Sequence, residues 1–180
     1  MRSFISIDVG AMDSLVSLEK ELGEAGVSLK LVEPENIHLT LKFLGEIDEE
    51  LVPKIEEAMR EAVNGIEPFT AELVGTGAFP SLDYMKVVWV GMRDSGETKK
   101  IAGALEESLQ KYGFRREKRF TPHVTLARVK GARGKEKLRE ILSKNMQKNF
   151  GKVRVESIRL KKSELRKEGP LYTTLLDVKL

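Results

Sequence analysis

Two stretches constrain this chain more than any other: Asn36-Ile37-His38-Leu39-Thr40-Leu41 and Pro122-His123-Val124-Thr125-Leu126. They hold both histidines of the sequence, and each histidine is followed by an apolar residue, a threonine and a leucine. Each lies in a short β-branched and apolar run of strand character. Side chains alternate along a strand, so His38 and Thr40 share one face while Ile37, Leu39 and Leu41 take the other. His123 and Thr125 share a face in the same way, backed by Val124 and Leu126. Each motif therefore presents an imidazole with a hydroxyl beside it and anchors both through an apolar back. The plain alternative, two unrelated half-buried histidines, leaves the shared pattern a coincidence.

The histidine strands recur within a longer repeat. Val9-Gly10-x-x-Asp13-Ser14 matches Val90-Gly91-x-x-Asp94-Ser95 at an offset of 81 residues, and the histidines are offset by 85. The first unit reads as a strand at Phe4–Val9, a helix with Leu15, Val16, Leu18 and Leu22, the His38 strand from Ile37 to Leu44, a helix with Leu51, Ile55, Ala58, Met59 and Ala62, and a strand at Phe69–Val74. Gly75 to Asp83 reads as a loop and Met85–Val90 as the next strand. The second unit then supplies a helix with Ile101, Ala104, Leu105 and Leu109, the His123 strand from Phe120 to Val129, and a helix with Leu138, Ile141, Leu142 and Met146. Strands at Val153–Leu160 and Tyr172–Val178 complete it. The expectation is an α+β fold in a single domain, residues 1–180, made of internal repeats at roughly 3–80 and 85–180. Its two lobes, each a mainly antiparallel sheet with helices outside, are related by a pseudo-two-fold that sets both histidines across a central cleft.

Composition narrows the function classes. No apolar run approaches the eighteen or so residues of a membrane span, and the start Phe4-Ile5-Ser6-Ile7-Asp8-Val9 reads as a strand rather than a signal peptide. The absence of cysteine excludes disulfides and thiolate metal sites and points to the cytoplasm. The net charge of +3 hides an asymmetry. Lys111 to Arg139 holds eleven Lys/Arg against two Glu, a local +9, while the rest carries twenty basic and twenty-six acidic residues, a net of −6. A basic run beside His123 suggests a surface that meets a polyanion rather than a merely solvated loop.

Imidazoles exchange protons near neutral pH. Two of them facing across a cleft suit in-line displacement at phosphorus, one activating the attacking oxygen and the other protonating the leaving oxygen. Threonine hydroxyls can donate to the non-bridging oxygens, whose charge grows in the transition state. That scheme requires no metal and no cofactor. A metal site would need three or four ligands, and although Asp8, Glu46 or Asp83 could join the two histidines, no ligand spacing supports it.

The paired motifs His38-Leu39-Thr40-Leu41-Lys42-Phe43-Leu44-Gly45-Glu46 and Arg119-Phe120-Thr121-Pro122-His123-Val124-Thr125-Leu126-Ala127-Arg128 closely resemble those of the two-histidine phosphoesterases. Within them the chain looks like the RNA 2′,3′-cyclic phosphodiesterase branch, historically called 2′-5′ RNA ligases. The resemblance extends to the Phe4–Asp8 start, the Phe79-Pro80 stretch and the Ser163…Gly169-Pro170…Tyr172 ending. It implies a bilobal fold and metal-free opening of a terminal 2′,3′-cyclic phosphate on RNA to a 2′-phosphomonoester. It also implies roles: His38 as proton donor to the leaving 3′ oxygen, His123 as the base that activates water, and Thr40 and Thr125 as phosphate holders.

Three basic residues are candidates for substrate binding. Arg119 shares strand parity with His123, and Lys42 shares it with His38. Arg128 has the opposite parity and needs a bulge to reach the site, although the family pattern includes an arginine there. Ser163, Tyr172 and Phe43 read as structural or substrate-flanking, and Trp89 as a core residue. The expected partner is RNA with a 2′,3′-cyclic phosphate end, with no membrane and no metal, and the expected state is a monomer. Reversible 2′-5′ RNA ligation at the same site, a small-molecule cyclic phosphodiesterase and a non-catalytic RNA-binding module are the alternatives.

Overall fold

A computed structural model describes residues 1–180. Nine strands and four helices alternate along the chain: β1 (Arg2–Asp8), α1 (Asp13–Glu24), β2 (Leu29–Leu31), β3 (His38–Glu46), α2 (Val52–Val63), β4 (Phe69–Pro80), β5 (Met85–Arg93), α3 (Glu97–Gln110), β6 (His123–Val129), α4 (Lys135–Lys144), β7 (Asn149–Val155), β8 (Ser157–Arg166) and β9 (Gly169–Lys179). Each helix buries one apolar stripe, as a 3.6-residue period requires. These are Leu15, Leu18 and Leu22 in α1, Ile55, Ala58, Met59 and Ala62 in α2, Ile101, Ala102, Leu105 and Leu109 in α3, and Leu138, Ile141 and Leu142 in α4.

The strand order is β7-β4-β5-β6-β3-β1-β8-β9, with β2 paired along β6, and every neighbouring pair is antiparallel. The sheets expected from the repeat meet at one residue pair, Leu39 with Val124, and so run on as a single order. On either side of that junction stand four strands, β7-β4-β5-β6 and β3-β1-β8-β9, each with its histidine strand innermost. Glu156 alone separates β7 from β8, although the two lie near opposite ends of the strand order. Only a strongly curled sheet can satisfy both.

Several boundaries differ from expectation, three of them outside the site. The strand from Phe69 does not stop at Val74: after an extra residue at Gly75 it continues to Pro80, pairing Ala78 with Val88 and Phe79 with Val87. Gly75 has φ +78°, which suits the bulge. The expected Val153–Leu160 strand is split at Glu156 into β7 and β8, which serve opposite halves of the sheet. Helix α4 ends at Lys144, leaving Met146 more than half exposed. The apolar residues of the sheet face under the helices, Leu39, Val124, Val88 and Leu73 among them, form one core with the helix stripes. Phe4 is buried too, but lies outside that cluster on the other face, where the histidines stand.

Candidate active site

The junction of β3 and β6 brings the two motifs together. Leu39 and Val124 both turn into the core, so His38, Thr40, His123 and Thr125 all emerge on the opposite face. Continuing the antiparallel register from Leu39–Val124 sets His38 opposite Thr125 and Thr40 opposite His123. The two motifs thus meet on one face at this junction, and a charge on His123 acts on His38.

Both imidazoles are fixed in the same way. Nδ1 of His38 lies 2.8 Å from the Asn36 carbonyl, and Nδ1 of His123 lies 2.5 Å from the Thr121 carbonyl. A carbonyl only accepts, so each Nδ1 carries the proton and each Nε2 is left for chemistry. On His38, Nε2 accepts from the Thr40 hydroxyl at 2.9 Å. Aromatic rings hold the imidazoles from the sides. Phe4 stacks on His38 at 4.9 Å with Tyr172 edge-on at 5.6 Å, while Phe79 meets His123 edge-on at 4.8 Å and Trp89 lies 6.2 Å away.

A matching irregularity in each histidine strand decides where the basic residues go. In β3 the register against β1 slips between Thr40 and Lys42, making Leu41 an extra residue. In β6 the register against β5 slips between Thr125 and Ala127, making Leu126 the extra residue, 85 positions later. Beyond each bulge the faces exchange. Lys42 therefore points away from His38, to the core side, where it is 4% exposed; its expected place beside the histidine is corrected. Phe43 takes the histidine face instead and is 70% exposed. By the same device Arg128 emerges exposed on the His123 face, and its charge acts on the Tyr172 phenol beside His38. The parity that linked Arg119 to His123 is absent, because β6 begins at His123 and residues 118–122 are not strand. Arg119 lies exposed on the irregular segment leading in.

The two halves of the site differ electrostatically. Asp8 is the cross-strand partner of His38, and its carboxylate accepts from Ser6 at 3.0 Å, Arg159 at 2.8 Å and Lys161 at 2.6 Å. At the corresponding place His123 faces Gly91. Burial lowers the proton affinity of both imidazoles below the ordinary value, with their backbone carbonyl bonds acting the other way. On His38 the Lys161 charge lowers it further, Asp8 raises it, and a charge on His123 lowers it. Asp8 itself is held below the usual carboxylate range: burial opposes this, but its bonds to Lys161, Arg159 and Ser6 prevail.

Residues 18–166 match the sequence model of the 2′-5′ RNA ligase superfamily. The chain belongs to that superfamily. It is 45% identical over 167 residues, 92% of its own length and 94% of the other's, to an Aeropyrum pernix protein named RNA 2′,3′-cyclic phosphodiesterase. It is 37% identical to a Methanothermobacter thermautotrophicus protein of the same name, over 97% of this chain and 96% of that one. Among solved structures it resembles a Thermus thermophilus protein with a TM-score of 0.82, 29% identity and coverage of 100% and 98%. It also resembles Escherichia coli LigT complexed with 3′-AMP, with a TM-score of 0.74, 25% identity and coverage of 99% and 97%.

Several residues around this superfamily site were not singled out from the sequence. From the sequence Asp8 reads only as a possible metal ligand, and nothing marks Arg159 or Lys161, because their bonds to Asp8 span some 150 residues and leave no local signal. Trp89, read as core, is half-buried on the histidine face, packs on Phe79 at 5.1 Å, and leaves its indole N–H without a partner. No three His, Asp or Glu side chains gather into a metal-binding group. No helix is long and apolar enough to cross a membrane. Two surface hollows of about 440 and 460 Å³, one where the end of α2 meets Val178–Leu180 and one between α1 and α4, lie away from the histidines.

Proposed function

We propose that this chain hydrolyses the 2′,3′-cyclic phosphate at RNA ends, leaving a 2′-phosphomonoester. The observation that supports this reading is the pair of imidazoles on one shared face, each with Nδ1–H bound to the carbonyl two residues upstream, so that Nε2 faces outward, toward the Thr40 hydroxyl on His38 and without a protein partner on His123. In the reaction, Nε2 of neutral His123 takes a proton from water as the water oxygen attacks phosphorus. The bond from phosphorus to the 3′ oxygen breaks, and protonated His38 gives that oxygen its proton. Thr40 and Thr125 donate to the non-bridging oxygens. No step routes through a metal or a cofactor.

Asp8 supports this assignment of roles, because it is the one carboxylate acting on either imidazole and it favours the charged form of His38. Arg128 and Phe43, turned onto the same face by the matching bulges, are suited to flank the RNA: one offers a cation to phosphate and the other a flat apolar face to a base. We further read the fold as one bilobal duplication, supported by the equivalent bulges at Leu41 and Leu126. The protein is expected to act as a monomer, and its lack of cysteine supports a cytoplasmic setting.

The superfamily name makes ligation the second reading: an RNA 5′-hydroxyl would replace water at the same geometry. The test is an oligonucleotide ending in 2′,3′-cyclic phosphate, incubated with the protein in EDTA with and without a 5′-hydroxyl RNA. Appearance of the 2′-phosphomonoester supports hydrolysis. A 2′-5′ joined product alone favours ligation, and loss of activity in EDTA that a divalent ion restores would overturn the metal-free mechanism.

A further inference from the structure

Lys42 is buried yet charged, and its partners show what it holds. It leaves β3 two residues beyond Thr40, on the core side, and Nζ donates to the Glu106 carboxylate of α3 at 3.0 Å and to the Arg115 carbonyl at 2.6 Å. The same Glu106 oxygen accepts the Glu117 backbone N–H at 3.0 Å. Lys42 and Glu106 are 3% and 12% exposed at their side chains, so the pair lies almost wholly out of water. An isolated charge could not remain there; a paired one with its donors satisfied can.

What the pair grips is the segment between α3 and β6. At one end the Phe114 N–H reaches the Leu109 carbonyl at 3.4 Å, and at the other the Met92 N–H donates to the Pro122 carbonyl at 3.0 Å. Between them, residues 115–120 make no hydrogen bonds except those to Lys42 and Glu106. Phe114 and Phe120 pack on the core as apolar anchors. The intervening Arg115, Arg116, Lys118 and Arg119 are exposed, and none forms an ion pair. Four unpaired cations around Glu117 repel one another and favour splaying, so a tether is needed to hold them in place on the segment that leads into β6.

We propose that Lys42 and Glu106 form a strut that fixes the 115–119 loop as a docking surface for the RNA backbone upstream of the reacting phosphate. Lys42 is then a positioning residue, tying the loop to the strand that carries His38. This rests on the RNA reading above. Because Pro122 has its own tether to Met92, the strut governs substrate binding more than the placement of His123.

The test compares wild type, Lys42→Met and the double variant Lys42→Met/Glu106→Leu on two substrates: an oligonucleotide ending in 2′,3′-cyclic phosphate and a mononucleoside 2′,3′-cyclic phosphate, which has no upstream phosphates. For Lys42→Met, KM for the oligonucleotide should rise about tenfold with a shallower salt dependence, while kcat and the mononucleoside KM stay within about threefold. Exchange of the Glu117 amide, the one amide of the segment that the pair holds, should accelerate. In the double variant, apolar filling should return thermal stability toward wild type while the raised KM and fast exchange persist. Recovery of KM in the double variant, or equal losses on both substrates, would overturn the strut and leave a core ion pair. If wild type turns over neither substrate the reading of the activity fails. The strut is then decided by exchange of the Glu117 amide and by salt-dependent binding of a 3′-phosphorylated oligonucleotide.

Discussion

Glu19 offers a sharp test of the energetics. It sits on the buried stripe of α1 with Leu15, Leu18 and Leu22, is 4% exposed, and neither carboxylate oxygen has a hydrogen-bond partner. Burial, helped by the charge of Glu35, pushes its pKa from 4.5 up to about 7. The unfolded chain releases this proton near 4.5, whereas the folded protein keeps it up to about 7. The folded state therefore binds more protons in that window, and stability falls as pH rises from 4.5 through 7. At 1.36 kcal/mol per pH unit the full shift sets a ceiling of about 3 kcal/mol, and relaxation and water penetration around the charge bring the expected penalty to about 2 kcal/mol. Glu19→Met keeps the volume and removes the charge. Thermal unfolding at pH 5 and pH 8 should show the variant more stable at both, with an extra gain of about 4–8 °C at pH 8 for a domain of this size. An equal gain at both pH values, or a loss at pH 8, would refute the reasoning.

Other expectations follow from the site. A Cβ on Gly77 would overlap the indole of Trp89, whose ring neighbours are Phe79 at 5.1 Å and His123 at 6.2 Å. Gly77→Ala should therefore cost about 1–3 kcal/mol in a thermal melt and lower kcat as well; an unchanged kcat would show that the indole does not bear on His123. Arg128→Ala should raise KM for the oligonucleotide and flatten its salt dependence by about one phosphate contact, measured by initial rates across a salt series. Asp8→Asn removes the one carboxylate that favours protonated His38 and leaves the Lys161 charge opposing it, so the alkaline limb of kcat/KM should move to lower pH.

The shared face of each histidine and its threonine was legible because it is local: two residues apart on a strand take the same side whatever the rest of the chain does. The helices were legible for the same reason, their stripes falling on Ile55–Met59 and Leu138–Leu142 as the period requires. Parity beyond the motif was not. A single extra residue at Leu41 carries Lys42 into the core and Phe43 out of it, and nothing in the strand composition marks that residue as extra. Its counterpart at Leu126 brings Arg128 to the site by the bulge its parity required. Gly75 and Pro80 made a long strand look like a loop, although one glycine serves a bulge and the proline sits at the strand's end. The Asp8, Arg159 and Lys161 cluster depends on β1 and β8 lying side by side, which only the tertiary fold decides.

The central claim is that His38 donates and His123 accepts a proton. Its most direct test is the pH dependence of kcat/KM on an oligonucleotide 2′,3′-cyclic phosphate for wild type, His38→Ala and His123→Ala. Each single replacement should lower the rate by about 10²–10⁴ while the folds persist. Because burial lowers both imidazoles, the wild-type bell should have both limbs below the ordinary imidazole value of 6.5. His123→Ala should lose the acidic limb and keep the alkaline one, and His38→Ala the reverse. Loss of the same limb in both variants, or an unaltered bell in either, would contradict the account.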